Sequence, residues 1–498
     1  IIVTATRRDM VPSEIPFNIS AITGDEIEEA HITDMEGLMR AMPGITVADG
    51  GGRFSENNNV ITIRGLNVDP SATDRRFLSD PNVSTYVGDT PVFANFVLKD
   101  VKRVEALRGP QGTLFGQNST GGAINVITKV PSLDESFSYG SVTVGDYNLN
   151  KVSSYISGPI FENVAASFSF TKTKRDGFST NLFNGQDLDD DDSYSVRNDF
   201  FVELDDTSSL RFFGQFANID SNGSAMKGKD DLSSDARKLS QDTLSNQKLT
   251  SKVFAAIYES DFGYANLKIL ASIQEDDILV DRDNDRHNFG DPVLTIPGLI
   301  GTTYIKAEFR PETSLVETTT FEMNLISNEP IMNGKMDWVI GAFYMDHEIE
   351  NHIRGYRDWD ANGEIRYECS EPFAVSTYCY THNYSFPAMF DVFSVGEFDF
   401  VTDGYPSRES ISIYGETTYS YNDDVRLISG FRYTEDTFAT DVANFYNIDI
   451  FNEEGTVDEI TGKAALEFDF DEDTMGYLSL IHISEPTRLL SISYAVFC

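Results

Sequence analysis

The second and larger part of the chain alternates apolar and polar residues. From about Ser136 onward the repeats are long: Ala166, Phe168 and Phe170 alternate with serine and threonine, and the same period runs through 411–419 and 465–470. A period of two is the spacing of a β-strand with one apolar and one polar face. This region is therefore predicted to consist of strands, without a convincing helix.

The links between these predicted strands are short and long in turn. The short links are 158–163, 205–208, 261–264, 422–424 and 471–473, and the long links lie near 176–192, 219–247, 278–315, 349–408 and 436–456. Short turns at one end and long loops at the other are typical of an outer-membrane β-barrel, and aromatic rings near strand ends, at Trp338, Tyr344, Tyr419 and Tyr421, fit its interfacial girdles. The pattern predicts a transmembrane antiparallel β-barrel with roughly 13 strands present.

Residues 1–132 have a different texture. Thr33 to Glu36 have capping-box spacing, an apolar helical face with Leu38, Met39 and Met42 follows, and Pro43-Gly44 ends the helix. Strands are predicted at 17–22, 60–64, 83–87, 101–107 and 124–128. This part is predicted to be a small α+β domain.

Composition excludes several classes of function. The formal net charge of −42 disfavours nucleic acid as a partner, because a phosphate backbone requires a basic surface. No apolar run approaches the length of a membrane helix. Three cysteines and six scattered histidines provide no metal framework, and no acid, base and nucleophile come together in the sequence. We expect neither an enzyme nor a bound cofactor or metal.

The glycine-rich segment 108–129 invites comparison with a nucleotide-binding loop. Gly116 and Gly121 have the four-residue gap of a phosphate-binding loop, but Gly122 occupies the position of its lysine. The following residues, 123–128, read as a strand rather than a helix. A nucleotide site is therefore not predicted.

Four ordered blocks of the N-terminal domain resemble one known family. The segments IIVTATRR (1–8), ITIRGL (61–66), VGDTPV (87–92) and VKRVEALRGPQGTLFGQNSTGGAINVITKVP (101–131) are similar to the plug domain of TonB-dependent outer-membrane receptors. SGPI (157–160) and RDGF (175–178) resemble the start of the 22-stranded barrel of that family. The resemblance implies a plug at 1–132 inside a partial barrel at 133–477, in the outer membrane of a Gram-negative bacterium and in contact with its lipid.

The resemblance also identifies an energy-coupling segment. Residues 1–6 resemble the TonB box, which implies that Ile2, Val3, Thr4, Ala5 and Thr6 contact the periplasmic TonB protein. An extended peptide without a tertiary anchor suits strand addition to a partner's sheet edge. A simple first strand of the plug is the alternative.

Within the plug, the resemblance implies that glycine serves packing. Turns and close approaches to the barrel wall are expected to need residues without a Cβ. Arg64, Glu105 and Arg108 are candidates for buried charge pairs between plug and barrel, with an ordinary surface position as the alternative. The other expected plug-packing residues are Gly65, Gly109, Pro110, Gly112, Gly116, Gly121 and Gly122.

The loops contain two further candidate features. Asp281, Asp283 and Asp285 match the first positions of a calcium loop, but Arg286 and Pro292 replace its glycine and glutamate, so an EF-hand is rejected. Solvated acids are the default interpretation there and at 187–192, with a looser cation site as the alternative. Cys369 and Cys379 are expected to form a disulfide in an oxidising exterior, with a pair of free thiols as the alternative.

The imported ligand is the least determined feature. The family implies a ferric siderophore first and an oligosaccharide or another bulky nutrient as the alternative. Acidic loops disfavour a strongly anionic complex, the loop histidines form no evident haem pair, and Tyr378, Tyr380 and Phe386 could stack on sugar rings.

The last 21 residues, 478–498, break the alternating pattern. Pro486 and its charged neighbours interrupt what should be a membrane-crossing strand, and the stretch resembles an in-frame translation of a sequencing-library adapter. We expect a non-native tail on a truncated receptor, which as written would be a non-functional fragment with an open barrel.

Overall fold

The computed structural model describes most of the chain. Its description omits residues 1–2, 5–6, 9, 12–14, 16, 31, 33–34, 50–58, 65–82, 89, 93–99, 117–118, 224, 229–230, 232, 242, 284–285, 287–290, 295–302, 306–307, 358–399, 445–447, 472–473 and 483–498. Within the described residues, no helix is long and apolar enough to cross a membrane.

The N-terminal part is the α+β domain that the sequence predicts, and we call it the plug. Its five-stranded sheet has the order β1-β6-β7-β4-β5, and β2 pairs with β3 in a separate hairpin. The elements are β1 (Asn18–Thr23), α1 (Gly24–Glu29), α2 (Met35–Ala41), β2 (Ile45–Asp49), β3 (Asn59–Ile63), β4 (Val83–Val87), β5 (Thr90–Pro91), β6 (Val101–Arg108) and β7 (Gly122–Thr128).

The plug has its own apolar core. Leu38 and Met39 of α2 are fully buried against the sheet, and Met42 is 4% exposed, so the predicted helical face is confirmed. Helix α1 was not predicted, although Thr23 and Glu26 form a capping box at its start. Residues 33–34, where the sequence predicted a capping box before α2, lie outside the described residues.

The second part is one antiparallel sheet of 13 strands, as the alternating pattern predicts, and we call it the large sheet. Its strands, each paired with the next, are β8 (Phe137–Gly145), β9 (Leu149–Phe161), β10 (Val164–Arg175), β13 (Asp191–Asp205), β14 (Ser208–Ser221), β16 (Asn246–Asp261), β17 (Ala265–Asp283), β20 (Glu308–Ser327), β21 (Met336–Arg357), β22 (Phe400–Ser420), β23 (Val425–Asn444), β24 (Ile448–Asp471) and β25 (Thr474–His482). Strand β25 continues across the predicted boundary at Tyr477 and pairs with β24 as far as His482.

Short strands and one helical turn lie in the connections. A three-stranded sheet joins two long loops above β10 and β16, and a short hairpin follows β17. These elements are β11 (Ser179–Asn181), β12 (Asp187–Leu188), β15 (Lys238–Leu239), β18 (Asp291–Leu294), β19 (Thr303–Ile305) and the turn α3 (Ile331–Gly334).

The two faces of the large sheet are inverted relative to a water-soluble protein. Its outward face exposes apolar side chains such as Ile156, Phe254, Ile340 and Ile413, each more than half exposed, while its inward face buries polar ones such as Glu322. Large rings stand at the short-turn ends of the strands: Phe161, Phe262, Tyr264, Tyr421 and Phe470. This arrangement fits a lipid-facing exterior with an aromatic girdle and a polar interior that holds the plug.

Candidate functional site

The candidate site lies where the plug meets the inner wall of the large sheet. At the short-turn end the two parts line an open cavity of about 2260 Å³, which is formed by the N-terminal segment, by the β6–β7 hairpin and by barrel strands. Thr4, Arg7 and Arg8 contribute to this lining, so the start of the chain lies at the end of the molecule that carries the short turns.

The N-terminal segment is anchored, contrary to the expectation of a peptide without tertiary contacts. Val3 is fully buried, and its backbone exchanges hydrogen bonds of 2.8 and 3.0 Å with Met10. The Thr4 backbone N–H donates to Glu105 Oε1 at 2.9 Å. Because Glu105 is a buried carboxylate, it requires donors, and the segment supplies one. Ile2, Ala5 and Thr6 lie outside the described residues.

Glu105 forms its ion pair within the plug rather than with the barrel. Arg103 Nε lies 2.6 Å from Glu105 Oε1, and both side chains are almost completely buried. The two residues are neighbours on one face of β6, because side chains two positions apart in a strand point the same way. Arg103 also donates to Thr4 Oγ1 at 2.9 Å, so the N-terminal segment closes this pair from one side.

The other two residues proposed for plug–barrel charge pairs also have contacts within the plug. Arg108 donates to Ser20 Oγ on the neighbouring strand β1. Arg64 is exposed, and its Nη1 would lie 3.0 Å from a Cβ placed on Gly109. Burial, and secondarily the charge of Arg64, lowers the pKa of the Arg108 guanidinium from its usual value.

Other residues supply the charge pairs that join the plug to the barrel. Arg7 lies 2.7 Å from Glu322 of β20, with both side chains buried. The Tyr414 hydroxyl donates to Asn324 Oδ1 at 2.6 Å and lies 3.0 Å from Glu322 Oε1. Arg7 also stacks over the ring of Phe115 in the plug, 5.2 Å from its centroid. This buried network connects the N-terminal segment, the barrel wall and the plug loop 111–116.

Arg8 ties the same segment to β20 and β21. Its guanidinium lies 2.7 Å from Asp337 Oδ1 and donates to Ser327 Oγ and to the Trp338 carbonyl, at 2.6 and 2.8 Å. We call the contacts of Arg7 and Arg8 with β20 and β21 the N-terminal anchor.

A second set of contacts holds the other side of the plug. Asp100, which precedes β6, accepts a bond of 3.0 Å from the buried Arg197 of β13. Arg211 of β14 donates to Thr128 Oγ1 at 2.7 Å and pairs with Asp199. We call this set the hairpin anchor. None of these residues was singled out from the sequence, although Arg211 occupies an inward position between the outward apolar residues Leu210 and Phe212.

Gly116 is the clearest case of close approach between plug and barrel. Its φ is +80°, and a Cβ there would lie 2.7 Å from Arg432 Nη2 of β23. Arg432 is held beneath it by Ser412 and Thr434, at 2.9 and 3.1 Å.

The remaining expected packing residues lie within the plug. Gly122 cannot accept a Cβ, which would stand 2.1 Å from the Leu107 carbonyl oxygen across the β6–β7 pair. Gly112 has only an ordinary contact with the Gly116 carbonyl. Gly109 and Gly121 are joined by a backbone hydrogen bond, Pro110 is half-buried, and Gly65 lies outside the described residues.

Tyr86 fixes the plug loop from below. Its hydroxyl donates to the Phe115 carbonyl at 2.6 Å, and the two rings meet edge to face at 5.2 Å. Burial raises the pKa of Tyr86 to about 12, so the hydroxyl keeps its proton at physiological pH.

Several sequence predictions fall on residues that the structure does not describe. They include the disulfide of Cys369 and Cys379 and the loop rings Tyr378, Tyr380 and Phe386. Among the residues that the structure does describe, no group of three or more histidine, cysteine, aspartate or glutamate side chains could hold a metal ion.

Comparisons with known proteins agree with this architecture. Residues 11–123 match the family model of the TonB-dependent Receptor Plug Domain. The chain is 30% identical to the pesticin receptor of Yersinia pestis over 194 residues, which cover 38% of this chain and 27% of that protein. It is 24% identical to the vitamin B12 transporter of Vibrio vulnificus over 225 residues, 43% of this chain and 34% of that protein.

Solved structures show the same fold. The ferric yersiniabactin uptake receptor of Yersinia pestis superposes with a TM-score of 0.72 at 17% identity, over 93% of this chain and 64% of that one. The ferripyoverdine receptor of Pseudomonas aeruginosa gives 0.69 at 16% identity, over 96% and 58%. The chain thus spans less than two thirds of the length of these proteins.

The names of these relatives describe a receptor, a transporter and an uptake receptor. The plug at residues 11–123 matches that domain family, and the large sheet forms part of the fold shared with the solved structures. Residues 11–123 are thus similar to the plug domain of TonB-dependent receptors, and the whole chain shares the fold of the solved receptor structures.

Proposed function

We propose that this chain is part of an active importer, in which the periplasmic TonB protein pulls on the N-terminal segment and the imported solute is a ferric siderophore. One observation carries the first part of the proposal. The N-terminal segment lies in the short-turn cavity and is bonded both to the plug, through Glu105, and to the barrel wall, through Glu322 and Asp337. A pull on this segment is therefore transmitted directly to the contacts that seat the plug.

Strand addition explains how a partner could grip the segment. Val3 and Thr4 already use their backbone groups to bond Met10 and Glu105. A partner strand that takes over these bonds replaces one set of main-chain hydrogen bonds by another, so little hydrogen-bond energy is lost in the exchange. The pulling force would then act on the ion pairs of Arg7 and Arg8.

A proline at position 4 tests this role. In cells that express the receptor, Thr4→Pro removes the N–H that strand addition needs, and uptake should stop while ligand binding at the cell surface persists. Deletion of residues 1–6 should give the same result. Val11→Ala, at an exposed position beyond the segment, serves as the control and should retain uptake. Energised uptake by the Thr4→Pro variant would contradict the proposal.

The siderophore assignment is supported by the relatives and not by a ligand site in the described residues. Two of the similar solved structures are receptors for ferric yersiniabactin and ferripyoverdine. The similarity to a vitamin B12 transporter favours a second candidate for the imported solute, which is a bulky nutrient other than a ferric siderophore. An oligosaccharide would be a nutrient of this kind. Growth rescue distinguishes them: under iron limitation, siderophores should restore growth, whereas rescue only by cobalamin or by an oligosaccharide as carbon source would exclude iron import.

A further inference from the structure

Among the residues whose side chains the structure describes, the outward face of the large sheet carries cations in one region only. At outward positions whose side chains the structure describes, the basic residues are Lys172, Lys174, Lys248 and Lys252. The first two lie on β10 and the others on β16, and these strands flank the pair β13 and β14. The chain as a whole has a formal net charge of −42, so this grouping calls for a physical explanation.

The four lysines lie at the height where lipid headgroups begin. Strand β10 rises from the short turn beside Phe161, and at ~3.3 Å per residue and a tilt of ~40° Lys172 stands about 20 Å above that ring. The apolar band of such a barrel is about 25 Å tall. Outward phenylalanines fill this band below the lysines: Phe168, Phe200, Phe212 and Phe254, 42 to 55% exposed.

The strand register places the lysines around a small aromatic surface. Lys174, Asp192, Asp220 and Lys248 stand directly opposite one another in one row across four strands. Below this row the rings of Tyr194 and Phe216 lie 5.7 Å apart, with Lys172 over Tyr194 at 5.7 Å. Rings and lysines side by side at a membrane boundary are typical of interfacial anchoring.

The carboxylates beside the lysines do not neutralise them firmly. Lys248 lies 3.4 Å from Asp220, Lys252 lies 2.6 Å from Glu275, and Lys172 pairs with Asp192, but these side chains are 38 to 51% exposed. Exposed ion pairs of this kind contribute little to stability. A doubly charged phosphate can therefore compete with them for the ammonium groups.

The opposite side of the sheet has the reverse charge. Outward positions of β20 to β24 at a similar height carry no lysine or arginine among those with described side chains. They carry exposed acids instead: Glu317, Glu348, Glu409, Glu435 and Asp458. An anionic headgroup would be attracted to one side of the barrel and repelled from the other.

We propose that the outward face of β10, β13, β14 and β16 binds the phosphorylated headgroups of lipids in the leaflet at the long-loop end. Strands β10 and β16 are three strand spacings apart, about 14 Å. Lysines on both strands therefore contact a headgroup that bears two phosphates better than they contact a headgroup that bears one. The inference depends on the membrane position of the sheet and not on which solute is imported.

Binding of a bisphosphorylated lipid A by the purified chain in dodecyl maltoside micelles tests the proposal. Its dephosphorylated form has the same acyl chains, so the comparison isolates the phosphates. The chain should bind the phosphorylated form at least about tenfold more tightly, and added salt should weaken that preference. Inorganic phosphate at millimolar concentration should not abolish it, because the rings and the apolar band contribute only to lipid binding.

Matched lysine variants locate the surface. The combined substitutions K172Q, K174Q, K248Q and K252Q should remove the preference, whereas K102Q, K129Q, K268Q and K335Q, which change the charge equally at the short-turn end, should retain it. Folding of both is checked by heat-dependent gel migration. Equal binding of the two lipids by the unaltered chain, an equal loss in the control, or full competition by inorganic phosphate would overturn the proposal. If the first variant fails to fold, the proposal is still tested by the preference of the unaltered chain for the phosphorylated lipid and by the response of that preference to salt.

Discussion

Buried charges at the plug determine how the N-terminal segment is held. Glu105 is completely buried, and its Oε1 accepts from Arg103 in the same strand and from the backbone N–H of Thr4. Removing one partner of such a pair leaves the other charge buried without compensation, which costs far more than the pair contributes when intact. The same argument applies to Arg7 and Glu322 at the barrel wall.

Glu105→Gln should loosen the plug and the segment together. It leaves Arg103 without a counter-charge, so we expect a loss of about 3 kcal/mol in the stability of the plug. Hydrogen exchange of the β6 and β7 amides measures this loss. Glu26→Gln, at an exposed position, removes the same charge and should leave exchange in β6 unchanged; equal effects of the two variants would show that burial is irrelevant.

Gly116→Ala should unseat the plug loop through contact with the barrel. A non-glycine residue at its positive φ costs about 1–2 kcal/mol from backbone strain alone, and its Cβ would also meet Arg432 at 2.7 Å. Gly263→Ala is the matched control, because that residue has φ +84° but nothing within 4 Å of the added Cβ. Thermal unfolding should show a larger loss for Gly116→Ala, and equal losses would mean that Arg432 moves aside without cost.

At the scale of elements, local patterns were predictable and distant pairings were not. Period two identified the strands of the large sheet because alternation depends only on neighbouring residues. The partner of Arg8 lies 329 positions away, and nothing in the sequence distinguishes Asp337 from other acids. Glu105 was a candidate for a charge pair with the barrel or for a surface position, but it is buried and pairs with Arg103, two residues away on its own strand.

Helix α1 offers a test of pH dependence. The Thr23 backbone N–H and hydroxyl both donate to Glu26 at 2.8 Å, and these bonds lower the pKa of the Glu26 carboxyl. A lowered pKa in the folded state stabilises the helix above the pKa of the unfolded chain, and this contribution is lost as pH falls through the lowered value.

Thr23→Ala should raise amide exchange in α1 about fivefold at neutral pH. Since the variant lacks the hydroxyl that donates to the Glu26 carboxylate, acidification should change its amide exchange less than that of the unaltered chain. The outcome that would contradict the capping argument is the same response to acid in both proteins.

For the whole molecule, the plug is held on two sides of the barrel. The N-terminal anchor attaches to β20 and β21, and the hairpin anchor attaches to β13 and β14. Four strands of the large sheet carry these contacts. A pull on residues 3–8 acts on the N-terminal anchor first, because Arg7 and Arg8 belong to that segment.

Arg7→Ala combined with Arg8→Ala should release the N-terminal segment without releasing the plug. We expect limited proteolysis to cut between residues 1 and 10 at least about tenfold faster, because the segment loses a buried ion pair and several charge-assisted bonds. Asp100→Asn weakens the hairpin anchor and should leave that cleavage rate unchanged. Faster cleavage in both variants would mean that the two anchors are not independent.

The inversion of polar and apolar faces limits how the large sheet can change in evolution. One residue inserted within β20 would turn Glu322 and Asn324 toward lipid and Phe321 and Met323 toward the plug, because every side chain beyond the insertion changes face. Insertions in the long loops have no such effect. Related receptors should therefore differ in length at the loops while the strands change only by substitution, and new ligand specificities can arise there without disturbing the wall that seats the plug.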